Sequence, residues 1–268
     1  MTATPSRRAA PVPRLAAWYA DHGRHDLPWR GHTDRWPVLV SEVMLQQTQV
    51  ARVLDAWPAF IGRFPTAAAM AAVTVGEVIT AWGRLGYPRR ARRLWEAAGI
   101  VAALGWPDDL TTLPGVGRYT ANAVLAQADD ADVPAIEVNI ARVVQRVEGA
   151  TLGPAAAEAA SVRIGRGLDG RHRLLALMDL GAVLCSPRAP RCGDCPLRRR
   201  CATRGPLPGE SPARQPKFEG SFRQRRGVVM ARLRDEDAVP VTELDAEALA
   251  SLVADGLAAV TDDRAHLP

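Results

Sequence analysis

Leu113-Pro114-Gly115-Val116-Gly117-Arg118-Tyr119-Thr120-Ala121-Asn122 ends one helical run and starts another. Pro114, Gly115 and Gly117 bar a continuous helix and permit the positive-φ backbone of a tight hairpin, while Ala121 to Ala126 resume an apolar, helical pattern. A helix that begins directly after such a hairpin points its first N–H groups along the positive end of its dipole. That is the geometry of a single-phosphate site. The stretch is also compatible with an ordinary turn between two helices, so its meaning depends on what accompanies it.

Outward from the hairpin the periodicity is helical. Leu15, Trp18 and Tyr19 form one apolar stripe, and Leu27-Pro28-Trp29-Arg30 breaks that helix. Trp29 and Arg30 read either as a surface cation–π pair or as a pocket wall. A helix over about Val38 to Arg52 offers Val38, Leu39, Val43, Leu45 and Val50 to a core and sets Glu42 and Gln46 one turn apart on a shared face. Further helices are expected at about Asp55 to Arg63, Val75 to Leu85, Arg89 to Leu104, Ala155 to Leu168 and His172 to Leu184. Ile136, Ile140 and Val143 mark a helix whose start carries Glu137 and Asn139. No segment of the first two hundred residues alternates with period two, so the fold class is all-α. Leu85-Gly86-Tyr87-Pro88-Arg89-Arg90 is a turn feeding a basic helix start, either a solvated face or a phosphate track with one aromatic wedge.

The 268 residues are 47% hydrophobic, ample for a core, and Lys plus Arg exceed Asp plus Glu by 34 to 29. The mild positive balance favours nucleic acid without establishing it. No signal peptide or membrane span is legible, which points to a cytoplasmic protein. The only cysteines, Cys185, Cys192, Cys195 and Cys201, fall as Cys-x6-Cys-x2-Cys-x5-Cys. Four thiols gathered there argue for a metal centre, zinc or an iron–sulfur cluster, which spacing alone does not distinguish.

Hairpin, Glu137 and cysteine spacing together resemble the helix-hairpin-helix DNA glycosylase superfamily in its 4Fe-4S branch. Ser41-Glu42-Val43-Met44-Leu45-Gln46-Gln47-Thr48-Gln49-Val50 resembles the signature of the MutY adenine DNA glycosylases. The resemblance spans roughly residues 14 to 204. It implies two helical subdomains with the active-site cleft between them: a helical barrel over about 32–140 and a cluster subdomain from 14–31 and 141–204. A flexible arm is expected at 1–13, a Pro-rich linker at 205–217 and a small α/β, winged-helix-like segment at 218–268, which is either DNA-binding or a cap.

The implied partner is double-stranded DNA carrying adenine opposite 8-oxoguanine or guanine, bound by a monomer with a 4Fe-4S cluster on the four cysteines. The target nucleotide must leave the stack to be reached. The resemblance gives Gln46, Gln47 and Tyr87 to the emptied stack, Arg89 and the hairpin backbone of Gly115, Val116 and Gly117 to phosphate, and Trp29, Arg30 and Leu45 to the base pocket. Glu42 is the general acid that protonates the purine, and a second carboxylate stabilises the sugar cation. In the family that second group is an aspartate in Asp-x-Asn-x-x-Arg-Val; this chain reads Glu137-Val138-Asn139-Ile140-Ala141-Arg142-Val143, a methylene longer. Misplacement of about 1 Å costs roughly a hundredfold in rate. Leu174 and Leu175 stand where the family often has a polar residue, and Asp179 is read as structural. Tyr119 occupies the place of the lysine with which endonuclease III-like relatives form a Schiff base, so a monofunctional, water-using enzyme is expected. A thymine or uracil mismatch glycosylase and a catalytically weak mismatch sensor are the alternatives.

Overall fold

The structure is a computed structural model that describes residues 14–210 and 217–268. The arm expected at 1–13 and residues 211–216 of the expected linker lie outside the described residues. Two compact units emerge: the described parts of Met1–His25 with Asp130–Pro212, and Asp26–Asp129 with the described part of Ala213–Pro268. Among the described residues every strand lies beyond Ala238, as expected of an all-α body with a small α/β tail.

The unit containing Asp26–Asp129 is built around α2 (Arg35–Leu45), whose residues Trp36 to Met44 are all buried. A helix apolar on every side belongs in the middle of a core. It is surrounded by α3 (Val50–Arg63), α6 (Arg89–Leu104) and α7 (Arg118–Ala128), with α4 (Ala67–Ala71) and α5 (Val75–Trp82) packing on α6 or α3. The single helix expected over Val38 to Arg52 is a correction. Leu45 ends α2, Gln46 turns to ψ 112°, Gln47 takes φ 55°, and α3 begins at Val50. The hairpin forms as read: Gly115 has φ 79°, Val116 N–H donates to Leu113 O at 3.1 Å, and Gly117 is the N-cap of α7.

Residues 217–268 of this unit share its hydrophobic core through Val229, Leu233, Val239, Leu252 and Ala265. They supply α11 (Phe222–Asp235), β1 (Val239–Pro240), α12 (Ala246–Ala254), β2 (Ala259–Thr261) and β3 (Arg264–His266). The antiparallel sheet has order β1-β3-β2, and Asp262 and Asp263 close its β2–β3 hairpin with both φ values positive, as a two-residue turn requires.

In the other unit, α1 (Arg14–His22) packs on α10 (Gly170–Val183), which packs on α8 (Val138–Glu148), which in turn meets α9 (Pro154–Ile164). Leu174 and Leu175 are core residues of α10, each 3% exposed. Asp179 is structural as read: its fully buried carboxylate accepts from the backbone N–H and Nε of Arg24 at 2.9 and 2.7 Å.

Candidate active site and cysteine loop

Glu42 sits on the buried helix α2 and is itself 6% exposed. A carboxyl so placed needs hydrogen-bond partners to offset lost hydration. One is Gln127 of α7, 3% exposed, whose Nε2 donates to Glu42 Oε1 at 2.7 Å. The hairpin helix therefore holds the carboxyl directly. It holds the end of α2 as well, since Gln46 Nε2 donates to Thr120 Oγ1 at 3.3 Å.

Past Leu45 the chain turns outward and exposes Gln47 in the left-handed region, a conformation that costs a non-glycine residue on the order of 1 kcal/mol or more. Tyr87, 39% exposed, does the same at φ 51°. One buried guanidinium holds both turns. Arg90 Nη1 donates to the carbonyls of Val43, Met44 and Gln46 at 2.8, 2.9 and 2.5 Å, and Nη2 donates to Thr48 Oγ1 at 2.9 Å and Gly86 O at 3.0 Å. Its carbon lies 5.2 and 5.4 Å from the ring centroids of Trp82 and Tyr87. Burial pulls its pKa down to about 10, which leaves it charged at neutral pH.

The rest of the basic helix start is less available than its sequence suggests. Arg89 pairs with Asp255, which also receives Arg226, while Arg92 reaches the Asp255 carbonyl. Around α11, Arg225 is held by Asp245 and Glu247 and Arg232 by Glu236 and Glu243, ion pairs made within the tail. Trp29 and Arg30 are buried, which overturns the surface pair; Trp29 packs edge-on to Trp57 with centroids 6.2 Å apart. Leu45 is partly buried against the core, and Tyr119 is partly exposed in the first turn of α7.

In the other unit Glu137 is the N-cap of α8. Oε2 accepts from the N–H and Nδ2 of Asn139 at 2.7 and 2.9 Å, and Oε1 accepts from Ile140 N–H at 2.8 Å. Burial raises its pKa and these donors, with Arg142, offset part of the rise. Arg142 continues the chain of contacts, donating to Asn139 Oδ1 at 2.6 Å, Gly181 O at 2.8 Å and Cys185 O at 2.6 Å. Gly181 is needed here, because a Cβ would lie 2.7 Å from Asn139.

All four thiols are free and line one small cavity with Val143, Leu180, Leu184 and Leu197. Among the described residues no three His, Cys, Asp or Glu groups are gathered closely enough to hold an ion as they stand. The donor set nevertheless fits a thiolate-ligated centre. Arg146, 1% exposed, donates to Cys185 Sγ at 3.4 Å and to the carbonyls of Ser186 and Pro187 at 2.9 Å, and is paired with Glu210. Burial pushes Cys195 up to about 11 and also raises Cys185, the cost that a bound cation and these guanidinium groups would remove.

Residues 40–163 match the family described as HhH-GPD superfamily base excision DNA repair protein. An adenine DNA glycosylase of Mycolicibacterium smegmatis is 44% identical, the match covering 93% of this chain and 92% of that protein. The chain belongs to the HhH-GPD superfamily. A human adenine DNA glycosylase is 36% identical over 71% of this chain and 38% of its own length. Among solved structures of the superfamily's fold, a thermostable thymine-DNA glycosylase covers 70% of this chain with TM-score 0.65 and 26% identity.

The sequence expectations name Glu42 and Glu137 and include neither the Gln127 contact to Glu42 nor the burial of Arg90. Gln127 had a signal, an amide that interrupts the apolar residues Ala123-Val124-Leu125-Ala126 and Ala128. Arg90 had none, since inside Arg89-Arg90-Ala91-Arg92-Arg93 nothing marks the one arginine that faces inward.

Proposed function

We propose that this protein is an adenine DNA glycosylase that hydrolyses the N-glycosidic bond of adenine opposite 8-oxoguanine or guanine in duplex DNA and does not nick the strand. The observation that carries the reading is Glu42: a buried carboxyl on the Glu-x-x-x-Gln-Gln signature, oriented by Gln127, with Gln47 and Tyr87 displayed on the two turns that Arg90 joins.

The steps follow from these residues. Tyr87 and Gln47 occupy the gap left by the extruded nucleotide, and the unpaired base costs a few kcal/mol to extrude. Glu42 gives its proton to a purine ring nitrogen. The C–N bond breaks with its electron pair going to the base, and the sugar is left as an oxocarbenium ion. Glu137, which accepts the two N–H groups of its own helix cap, is the carboxylate assigned to that cation; water adds to the sugar carbon and loses a proton. Tyr119 cannot form a Schiff base, so no lyase step follows. Backbone N–H groups at the start of α7 are the phosphate site. Cys185, Cys192, Cys195 and Cys201 would hold a 4Fe-4S cluster, which supplies charge and cross-linking to the arginine-rich loop and takes no part in the hydrolysis.

Tyr119 and the likeness to a thymine-DNA glycosylase favour thymine excision as a second reading. Chromatography of the free base released from A opposite 8-oxoguanine, A opposite G and T opposite G separates them. Adenine from the first two, with the abasic strand intact until alkali is added, is the expected result; thymine alone would replace the reading.

A further inference from the structure

We infer that Gln127 is the positioning residue of the acid: its amide fixes Glu42 Oε1 as an acceptor, so that in the protonated state the proton is carried on Oε2. The inference rests on the reading of Glu42 as general acid. Nε2 lies 2.7 Å from Oε1, both side chains are buried, and the donor comes from the last turn of α7, which packs along α2. A neutral carboxyl has one hydroxyl oxygen and one carbonyl oxygen, and an N–H donor pairs more strongly with the carbonyl oxygen, the better acceptor. The hydrogen bond therefore selects which oxygen delivers the proton. It also ties that choice to the hairpin helix, because Gln127 and the hairpin's Gly117 cap belong to the same element.

The same donor favours the ionised carboxylate, so it sets how readily the acid gives up its proton as well as from where. The elements packed on α2 carry Arg118 and Tyr119 on α7, Arg90 on α6, Arg52 on α3 and Arg30 on the turn Pro28–Gly31. Substitution of Gln127 alone leaves the identity of all these groups unchanged.

The test is the titration of the Glu42 carboxyl in free protein, followed by its side-chain carbon NMR signal assigned through Glu42→Gln, in the parent, Gln127→Met and Gln127→Glu. Met conserves volume and removes the donor. With the donor gone, the Glu42 midpoint should rise by about one pH unit, the size expected for one hydrogen bond to a charged group. Gln127→Glu should raise it further, since two buried carboxyls share one proton. In single-turnover adenine release, Gln127→Met should move the alkaline limb of the pH profile upward while lowering the plateau about tenfold. A residue that only fills space would lower thermal stability and leave both the midpoint and the limb where they are, and that outcome overturns the inference. The NMR titration needs no substrate. It decides Gln127 even if no duplex yields adenine, a result that would instead remove the functional reading.

Discussion

Glu137 shows how one methylene redistributes a carboxylate's work. An aspartate at an N-cap spends one oxygen on its own helix; Glu137 spends both, on Asn139 and Ile140. The longer side chain folds back onto α8 and accepts from two of its N–H groups at once. Glu137→Asp should therefore raise the single-turnover rate of adenine release by about tenfold or more, as the carboxylate regains the shorter reach; an equal or lower rate would show that the glutamate is already well placed. Its raised pKa also has a consequence for stability. Ionising a buried carboxyl costs folding free energy, so its contribution is fullest below the ordinary value of 4.5 and is lost as pH rises through the raised folded value. Glu137→Gln should remove that part of the pH dependence, so that the difference in Tm between variant and parent changes across this range. The presence of a carboxylate at the start of α8 was legible from the period of Ile136, Ile140 and Val143. The double cap was not, because it depends on side-chain reach rather than on pattern.

Elements here are joined by a few buried polar side chains. Gln46 to Gln49 have no helix breaker among them, which is why a continuous helix was the natural reading; the break is sustained by Arg90, 44 residues from Gln46. A contact of that range leaves no trace in local propensity. Arg90→Met should leave several buried carbonyls without a donor, lower stability by about 3 kcal/mol in denaturant unfolding, and weaken mismatch binding. Arg90→Lys, which keeps the charge and loses the fork, should recover only part of the binding. If both variants bound the mismatch duplex as the parent does, Arg90 would not be what holds Gln47 and Tyr87 out. The hairpin makes a complementary case. Gly115 was legible because φ 79° all but demands glycine, and its Cβ would lie 3.0 Å from Arg93 Cβ. Gly115→Ala should cost about 1–3 kcal/mol and weaken duplex binding at low salt, where phosphate contacts count most.

For the molecule as a whole, the all-α body and the tail's α/β character were readable because each rests on local periodicity. How the tail is attached was not. Residues 217–268 complete the core of the unit holding α2, and Asp255 takes up Arg89 and Arg226 there, so charges that looked like a phosphate track are partly internal pairs. The cysteine spacing, by contrast, predicted a shared site, and the four thiols do line one cavity beside Arg146. Cys192→Ser should abolish the broad visible absorbance expected of an iron–sulfur cluster and weaken DNA binding. Purified parent protein with stoichiometric zinc and no such absorbance would contradict the cluster. The proposed function turns on Glu42 as the acid of an adenine glycosylase. Its most direct test is single-turnover release from a duplex carrying adenine opposite 8-oxoguanine, by the parent and by Glu42→Gln, which isolates the chemical step from product release. Release by the parent and a loss of several hundredfold or more in Glu42→Gln at unchanged duplex affinity are expected. Equal rates in the two proteins would contradict that role.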